Sequence, residues 1–126
     1  MPVLTQPSAM GDLLKYEENP DYCRESVTLL AGTNYPLGAV LGQISASGKY
    51  KLSPDTGTDG SEVAVAVLIG AVDASAADTT GLVVARGPAI VSKAQLNFDA
   101  TVTTAAKIAT KEGQLATAGI VPRDAA

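Results

Sequence analysis

A run of seven consecutive apolar residues near the middle of the chain limits the possible folds more than any other feature. It covers residues 63–69 and contains only Val, Ala, Leu and Ile. Successive side chains of a β-strand point to opposite faces, so a strand of this composition is apolar on both faces. We therefore predict that it is buried on both sides or lies at the centre of a small barrel.

Further short strands are predicted on either side of this run, because β-branched residues recur between Gly-, Pro- and Asp-rich turns. The candidates are residues 26–30, 39–44, 49–52, 82–85, 89–91 and 120–121. Pro122 is expected to end the last of them. Polar, small residues predict loops at 53–60 and 74–81.

One short C-terminal helix is predicted. Asp99 or Thr103 is expected to cap a helix that contains residues 105–109. Gly113 costs about 1 kcal/mol in a helix interior relative to Ala, so the helix should be short or bent. Gly119 has the position of a glycine that terminates a helix. The predicted fold class is therefore mainly β: a small single-domain barrel or sheet with one short C-terminal helix.

The composition supports one domain with an aliphatic core. The 126 residues are 46% hydrophobic but only 4% aromatic, and Trp is absent. Such a core has to be packed from Ala, Val, Leu and Ile, and the length leaves no room for a second one. Cys23 is the single cysteine, which excludes an intramolecular disulfide and suits folding in a reducing cytoplasm. We expect no signal peptide, since no basic segment precedes an apolar one.

The charge disfavours two classes of partner. The net charge is −4 and the isoelectric point is about 4.6. Nucleic-acid binding needs a positive surface that displaces counterions from phosphates, and anionic membranes attract cations in the same way. The longest apolar stretch, 63–72, contains a Gly and is too short to cross a bilayer. We predict neither a nucleic-acid partner nor a membrane partner.

Residues 1–22 differ in composition from the β-rich domain predicted at 23–126. Pro2, Pro7 and Pro20 interrupt the segment, which predicts a flexible, extended N-terminal arm. At roughly 3.3 Å per residue such an arm reaches up to ~70 Å. Apolar residues also punctuate it, so it is either a mobile tail or a segment that orders only against a partner.

Catalytic equipment is missing from the sequence. There is no His, which removes the usual general base and the commonest metal ligand. Residues 55–60 have a weak likeness to a calcium loop but lack its closing Glu, so a plain turn is favoured. Cys23 lies beside Arg24 without a base and is predicted to be an inert thiol. We predict a protein that is not an enzyme, with no cofactor and no metal.

One alternative rests on Lys49, which follows a turn at Gly48. Lipoyl and biotinyl domains present a Lys at a hairpin tip, although the acidic and Met neighbours of such carriers are absent here. The alternative function is therefore a carrier or ligand-binding β module of a bacterial enzyme complex.

Several segments, in their order and spacing, resemble the head decoration family of lambda-like tailed bacteriophages. They read RESVTLLAG at 24–32, LGAVLG at 37–42, GKY at 48–50, DGSEVAVAVL at 59–68, RGPAIV at 86–91 and AGIVPR at 118–123. The resemblance covers the chain from about Cys23 to Arg123, and it departs from the family at 74–81 and 97–101.

This resemblance implies a β-clip type of fold and a structural role. It implies homotrimers at the three-fold sites of the expanded head, on the outer surface of a virion assembled in the bacterial cytoplasm. The arm would be disordered in the free protein and would add to a sheet of the major capsid protein, so that neighbouring capsomers are clamped together. The candidate capsid contacts are the apolar residues of the arm: Leu4, Met10, Leu13, Leu14 and Tyr16.

Overall fold

The structure, a computed structural model, describes residues 13–17 and 23–123. In this part of the chain the strands are β1 (Leu14–Glu17), β2 (Arg24–Leu29), β3 (Asn34–Tyr35), β4 (Val40–Gln43), β5 (Tyr50–Leu52), β6 (Ala66–Leu68), β7 (Val72–Asp73), β8 (Thr79–Val84), β9 (Ala89–Ser92) and β10 (Ile120–Arg123). A 3-10 turn covers Lys93–Gln95, and helix α1 is Ala105–Thr117. The predicted fold class, mainly β with one short C-terminal helix, is confirmed.

Five strands form a closed barrel in the order β2-β5-β4-β6-β8. All neighbours in it are antiparallel except β2 and β5, which are parallel. Outside the barrel lies a sheet of three strands, in which β9 is antiparallel to β1 and parallel to β10. Strands β3 and β7 pair separately.

Residues 66–69 of the apolar run are buried on both faces, as predicted, because a hydrophobic cluster lies on each side of the barrel wall. Ala66 and Leu68 point into the barrel, whereas Val67 points outward to the second sheet and the helix. All three are fully buried. The strand within the run is only Ala66–Leu68, and Val63 is 45% exposed.

Both clusters are built mainly from aliphatic side chains. The cluster inside the barrel contains Val27, Leu29, Tyr35, Ala39, Leu41, Tyr50, Ala66, Leu68, Ala74 and Val83. The cluster outside it contains Leu13, Val40, Ala64, Val67, Ile69, Val84, Ala89, Val91, Leu96, Leu115 and Ile120. The second cluster holds the outer sheet and the helix against the barrel.

The predicted caps of the helix were wrong. The N-cap is Thr104, whose side chain accepts a hydrogen bond from the backbone N–H of Lys107 at 3.3 Å. Asp99 instead accepts hydrogen bonds from the backbone N–H and the hydroxyl of Thr101, and Thr103 lies one residue before the cap. Because the Asp99 carboxylate already accepts both hydrogen bonds within its own turn, it does not cap the helix further along the chain.

The helix ends as predicted, but the strand after it continues further than predicted. The helix runs through Gly113, and Gly119 terminates it in a left-handed conformation with φ of +88°. Strand β10 then passes through Pro122 to Arg123. Pro122 is tolerated because β10 is an edge strand of its sheet.

The predicted loop at 74–81 is also too long, since β8 begins at Thr79 and pairs with β2 along its length. The polar residues there belong to a strand that has one exposed face. Gly81 within it leaves room for the barrel core, because a Cβ at this position would lie 2.8 Å from Cδ1 of Leu29.

Helix α1 turns its long polar side chains toward the domain. Lys107 pairs with Asp55 at 3.4 Å, and the side chain of Gln114 accepts a hydrogen bond from the backbone N–H of Ala64 at 2.8 Å. The exposed positions are instead small: Ala105, Ala106, Ala109, Thr110, Gly113, Ala116 and Thr117. The helix is therefore attached to the body by polar contacts as well as by the apolar Leu115.

Lys111 is the most deeply buried of these polar side chains, at 1% exposure. Its Nζ donates to the Ser53 hydroxyl at 2.9 Å, to the Pro54 carbonyl at 2.6 Å and to the Glu62 carbonyl. Three acceptors use all three N–H bonds of an ammonium group. Lys111 therefore ties both ends of the loop 53–62 to the helix.

We expect Lys111→Met to lower the free energy of unfolding by about 2–4 kcal/mol, because buried acceptors lose their donor. Urea denaturation measures the change. Lys107→Met is the matched control: its side chain is 38% exposed, and its surface ion pair should contribute less than about 1 kcal/mol. Equal effects of the two substitutions would contradict this role for Lys111.

The same lysine should give a pH dependence. Burial lowers the pKa of Lys111 from its ordinary 10.5, against the opposing charges of Asp55, Glu62 and Asp99. Between the lowered pKa and 10.5 the unfolded chain binds more protons, so the free energy of unfolding should rise with pH in this window. Relative to Lys111→Met, the wild type should gain stability on approaching pH 10.5. If the wild type instead loses stability relative to Lys111→Met in this window, the three hydrogen bonds raise the pKa of Lys111 by more than burial lowers it.

Two glycine substitutions should have opposite effects. A Cβ at Gly42 in β4 would lie 2.0 Å from the carbonyl oxygen of Ser61, whereas one at Gly113 would meet nothing within 4 Å. We expect Gly42→Ala to destabilise the domain by about 2 kcal/mol or more through a backbone clash. Gly113→Ala should stabilise it by about 0.5–1 kcal/mol. Thermal unfolding of both variants checks the packing of β4 and the exposure of the helix.

Candidate functional site

The part of the predicted arm that the structure describes is built into the domain. Residues Leu14–Glu17 form β1, which pairs with β9 through Leu14↔Val91, Tyr16↔Ile90 and Glu17↔Ala89, with an irregularity between Leu14 and Tyr16. The extent of the flexible, extended arm predicted over 1–22 stays a prediction. Composition did not reveal β1, because prolines on both sides of this segment obscure a short strand whose partner is far along the chain.

Leu13 is the strongest anchor of this segment. It is fully buried, in the cluster that also contains Val91, Leu115 and Ile120, and Leu14 packs against the same cluster. Leu13 consequently has no exposed surface with which to contact a partner. It fastens the chain at the point where residues 1–12 enter the domain.

The structure brings together three of the five predicted capsid contacts. Leu14 and Tyr16 lie in β1 and Leu13 directly precedes it, with Leu13 in the core and Leu14 partly buried. Leu4 and Met10 lie outside the described residues. Their contact with a capsid stays a prediction, as does that of Tyr16.

An ion pair that the sequence analysis missed joins β1 to the barrel. Arg24 donates from Nε to Oε2 of Glu17 at 3.1 Å and from Nη2 to Oε1 at 2.5 Å. This hydrogen-bonded carboxylate raises the pKa of the Arg24 guanidinium. A bidentate pair of this kind fixes orientation as well as distance. Its only signal in the sequence was two opposite charges seven residues apart, which is too weak to predict a contact.

Cys23, next to this ion pair, is buried, and its Sγ lies 3.8 Å from the carbonyl oxygen of Pro88. It contributes to packing between the start of β2 and the turn before β9.

The outward face of the three-stranded sheet has an apolar row. Ile90 of β9 is the register partner of Val121 in β10 and of Tyr16 in β1. Ile90 is half-buried and Val121 is 38% exposed, whereas Ala89 and Ile120 face the core. We call Ile90 and Val121 the outer-sheet row. Periodicity of two along β9 and β10 predicts such a row only once the strands are known to be neighbours.

The residues considered for other chemistry have local partners. Lys49 pairs with Asp78 at 2.5 Å. Asp59 accepts hydrogen bonds from the hydroxyl and N–H of Ser61, which lower the pKa of Asp59. Among the described residues no group of three His, Cys, Asp or Glu side chains is placed to hold a metal. The helices described are too short and too polar to cross a membrane.

Comparison with protein families gives a match over residues 3–120 to the family described as bacteriophage lambda head decoration protein D. The chain belongs to this family. The match includes β1 and extends to the first residue of β10, so it covers the barrel, the β3–β7 pair, the helix and the first two strands of the outer sheet. A comparison with curated proteins found no match.

Family membership assigns the protein to the capsid of a tailed phage, where it decorates the head. This is a class of structural proteins and not a class of enzymes. The resemblance stated from the sequence is confirmed by the family match.

The anchoring of β1 can be tested by truncating Leu13. We expect Leu13→Ala to lower the free energy of unfolding by about 2–5 kcal/mol, as for other buried leucines. Leu82→Ala is the control, because Leu82 is 40% exposed on the barrel and should change stability by less than about 1 kcal/mol. Chemical denaturation that finds Leu13→Ala as stable as the wild type would place residue 13 outside the core.

Proposed function

We propose that this protein binds as homotrimers at the three-fold sites on the outside of the expanded phage head and clamps neighbouring capsomers together. The observation that carries the proposal is the family match over residues 3–120. The partner in this proposal is the major capsid protein, and the contact is made by the segment before β1, including Leu4 and Met10.

The way β1 is attached supports a clamp. A clamp transmits tension only if the bound segment is fastened to a rigid body. Here the chain is held by Leu13 in the core, by the pairing of β1 with β9, and by the ion pair between Glu17 and Arg24. Tension on residues 1–12 would therefore pass into the sheet and through the ion pair into the barrel.

The length of the segment suits a contact that extends past the edge of the domain. Twelve residues precede Leu13, and at roughly 3.3 Å per residue they span up to ~40 Å when extended. An extended segment offers main-chain groups for strand addition, with alternate side chains for selectivity. β1 pairs with β9 along one edge, and we assign the strand addition to the residues before it.

Trimerisation would turn a modest contact into a strong one. Three segments on one trimer bind in concert, so the second and third contacts form at high effective concentration. Closed three-fold symmetry also matches a three-fold site on an icosahedral shell. No cofactor is needed for binding of this kind.

Removal of residues 1–12 should abolish retention on expanded shells while leaving the domain folded, because Leu13 and β1 remain. Co-sedimentation with undecorated shells, before and after expansion, measures this. A variant lacking residues 124–126 is the control, since it shortens the other end of the chain. Thermal unfolding of each variant shows that the body is intact.

Two outcomes would contradict the proposal. If the variant lacking residues 1–12 binds as well as the full chain, the segment is not the clamp. If the full chain is not retained by either kind of shell, decoration fails, and mass analysis of Lys49 then tests the carrier alternative.

A further inference from the structure

The outer-sheet row lies on the same sheet as the strand that leads to the proposed clamp. Val121 is one of three large hydrophobic residues exposed in the described part of the chain, with Val63 and Leu82. Val63 belongs to a loop and Leu82 to the barrel, so Val121 is the one on the β1–β9–β10 sheet. A single exposed valine has no special meaning, but Val121 adjoins the half-buried Ile90 in a continuous cross-strand row.

The junction at Leu13 limits how far this row can lie from a bound shell. Leu13 is fixed in the core, and Met10 precedes it by three residues. At roughly 3.3 Å per residue, a shell that contacts Met10 lies within about 10 Å of Leu13. β1 would therefore lie close to the shell surface whenever Met10 contacts the shell.

The charges on this sheet indicate which kind of partner surface it would bind. Lys15 and Arg123 are both exposed, on β1 and β10 respectively, although the protein as a whole has a net charge of −4. Lys15 and Arg123 lie on the two strands that flank β9, and an apolar row with cations on the same sheet suits an apolar patch that has carboxylates near it.

We propose that the outer-sheet row docks directly on the capsid shell, against an apolar patch with an acidic rim, and forms a second contact beside the N-terminal clamp. This inference rests on the proposed function. The body of the protein thus contributes to binding, and the arm does not carry it alone.

The test uses Val121→Glu in the full chain, with Leu82→Glu as the matched control. Both substitutions place a carboxylate at an exposed strand position, Val121 at 38% and Leu82 at 40% exposure. Oligomeric state is measured by light scattering, stability by thermal unfolding, and affinity by co-sedimentation with expanded shells. Val121→Thr, which keeps the branched shape, is a second variant in case the glutamate impairs folding.

We expect the affinity of Val121→Glu for expanded shells to fall about tenfold or more. The affinity of Leu82→Glu should stay within about twofold of the wild type. Neither substitution should change the oligomeric state. Val121→Thr should lie between Val121→Glu and the wild type. Wild-type affinity of both Val121 variants, or an equal loss for Leu82→Glu, would overturn the proposal.

A third result would assign the row to another occupant. If Val121→Glu dissociates the free oligomer, a second copy of the chain covers the row, and direct docking on the shell is wrong. If the wild type itself is not retained on expanded shells, the proposed function fails, and this inference fails with it.

Discussion

The wall of the barrel has to be apolar on both faces, because it separates two hydrophobic clusters that are packed at the same time. Val40, Val67 and Val84 are register partners on β4, β6 and β8, and all three point outward. Their neighbours in the same strands point into the barrel. The outer sheet and the helix consequently have no separate core, because the cluster they pack in includes these three valines of the wall. A chain built in this way is a single structural unit whose parts cannot be separated without exposing aliphatic surface.

Elements whose evidence is local were predictable from the sequence, and those that depend on distant partners were not. The run 63–69 shows burial on both faces by composition alone, and Gly119 ends the helix through a conformation that favours glycine. By contrast, β1 exists because Leu14–Glu17 meets β9, more than seventy residues later. The start of β8 at Thr79 likewise depends on β2. Long-range pairing leaves little trace in the segment that it orders.

The candidate site was predictable in the same uneven way. The family resemblance indicated the role in head decoration, and the family match agrees with that role. The importance of the N-terminal segment stays a prediction. Which apolar residues of the segment are available to a partner was not predictable. In the sequence Leu13 looks like any other apolar residue of the segment, so its burial became visible only with the fold. The ion pair between Glu17 and Arg24 depends on the same placement.

The buried ammonium group of Lys111 has a consequence for the surroundings that the protein can tolerate. A long polar loop such as 53–62 is often organised by a bound divalent cation, which chelators or dilution can remove. Here the positive charge belongs to the chain itself and sits among Ser53, Pro54 and Glu62 away from solvent. Salt screens buried charges far less than exposed ones. The loop is thus held independently of the ions outside, which differ between a bacterial cytoplasm and the water into which a virion is released.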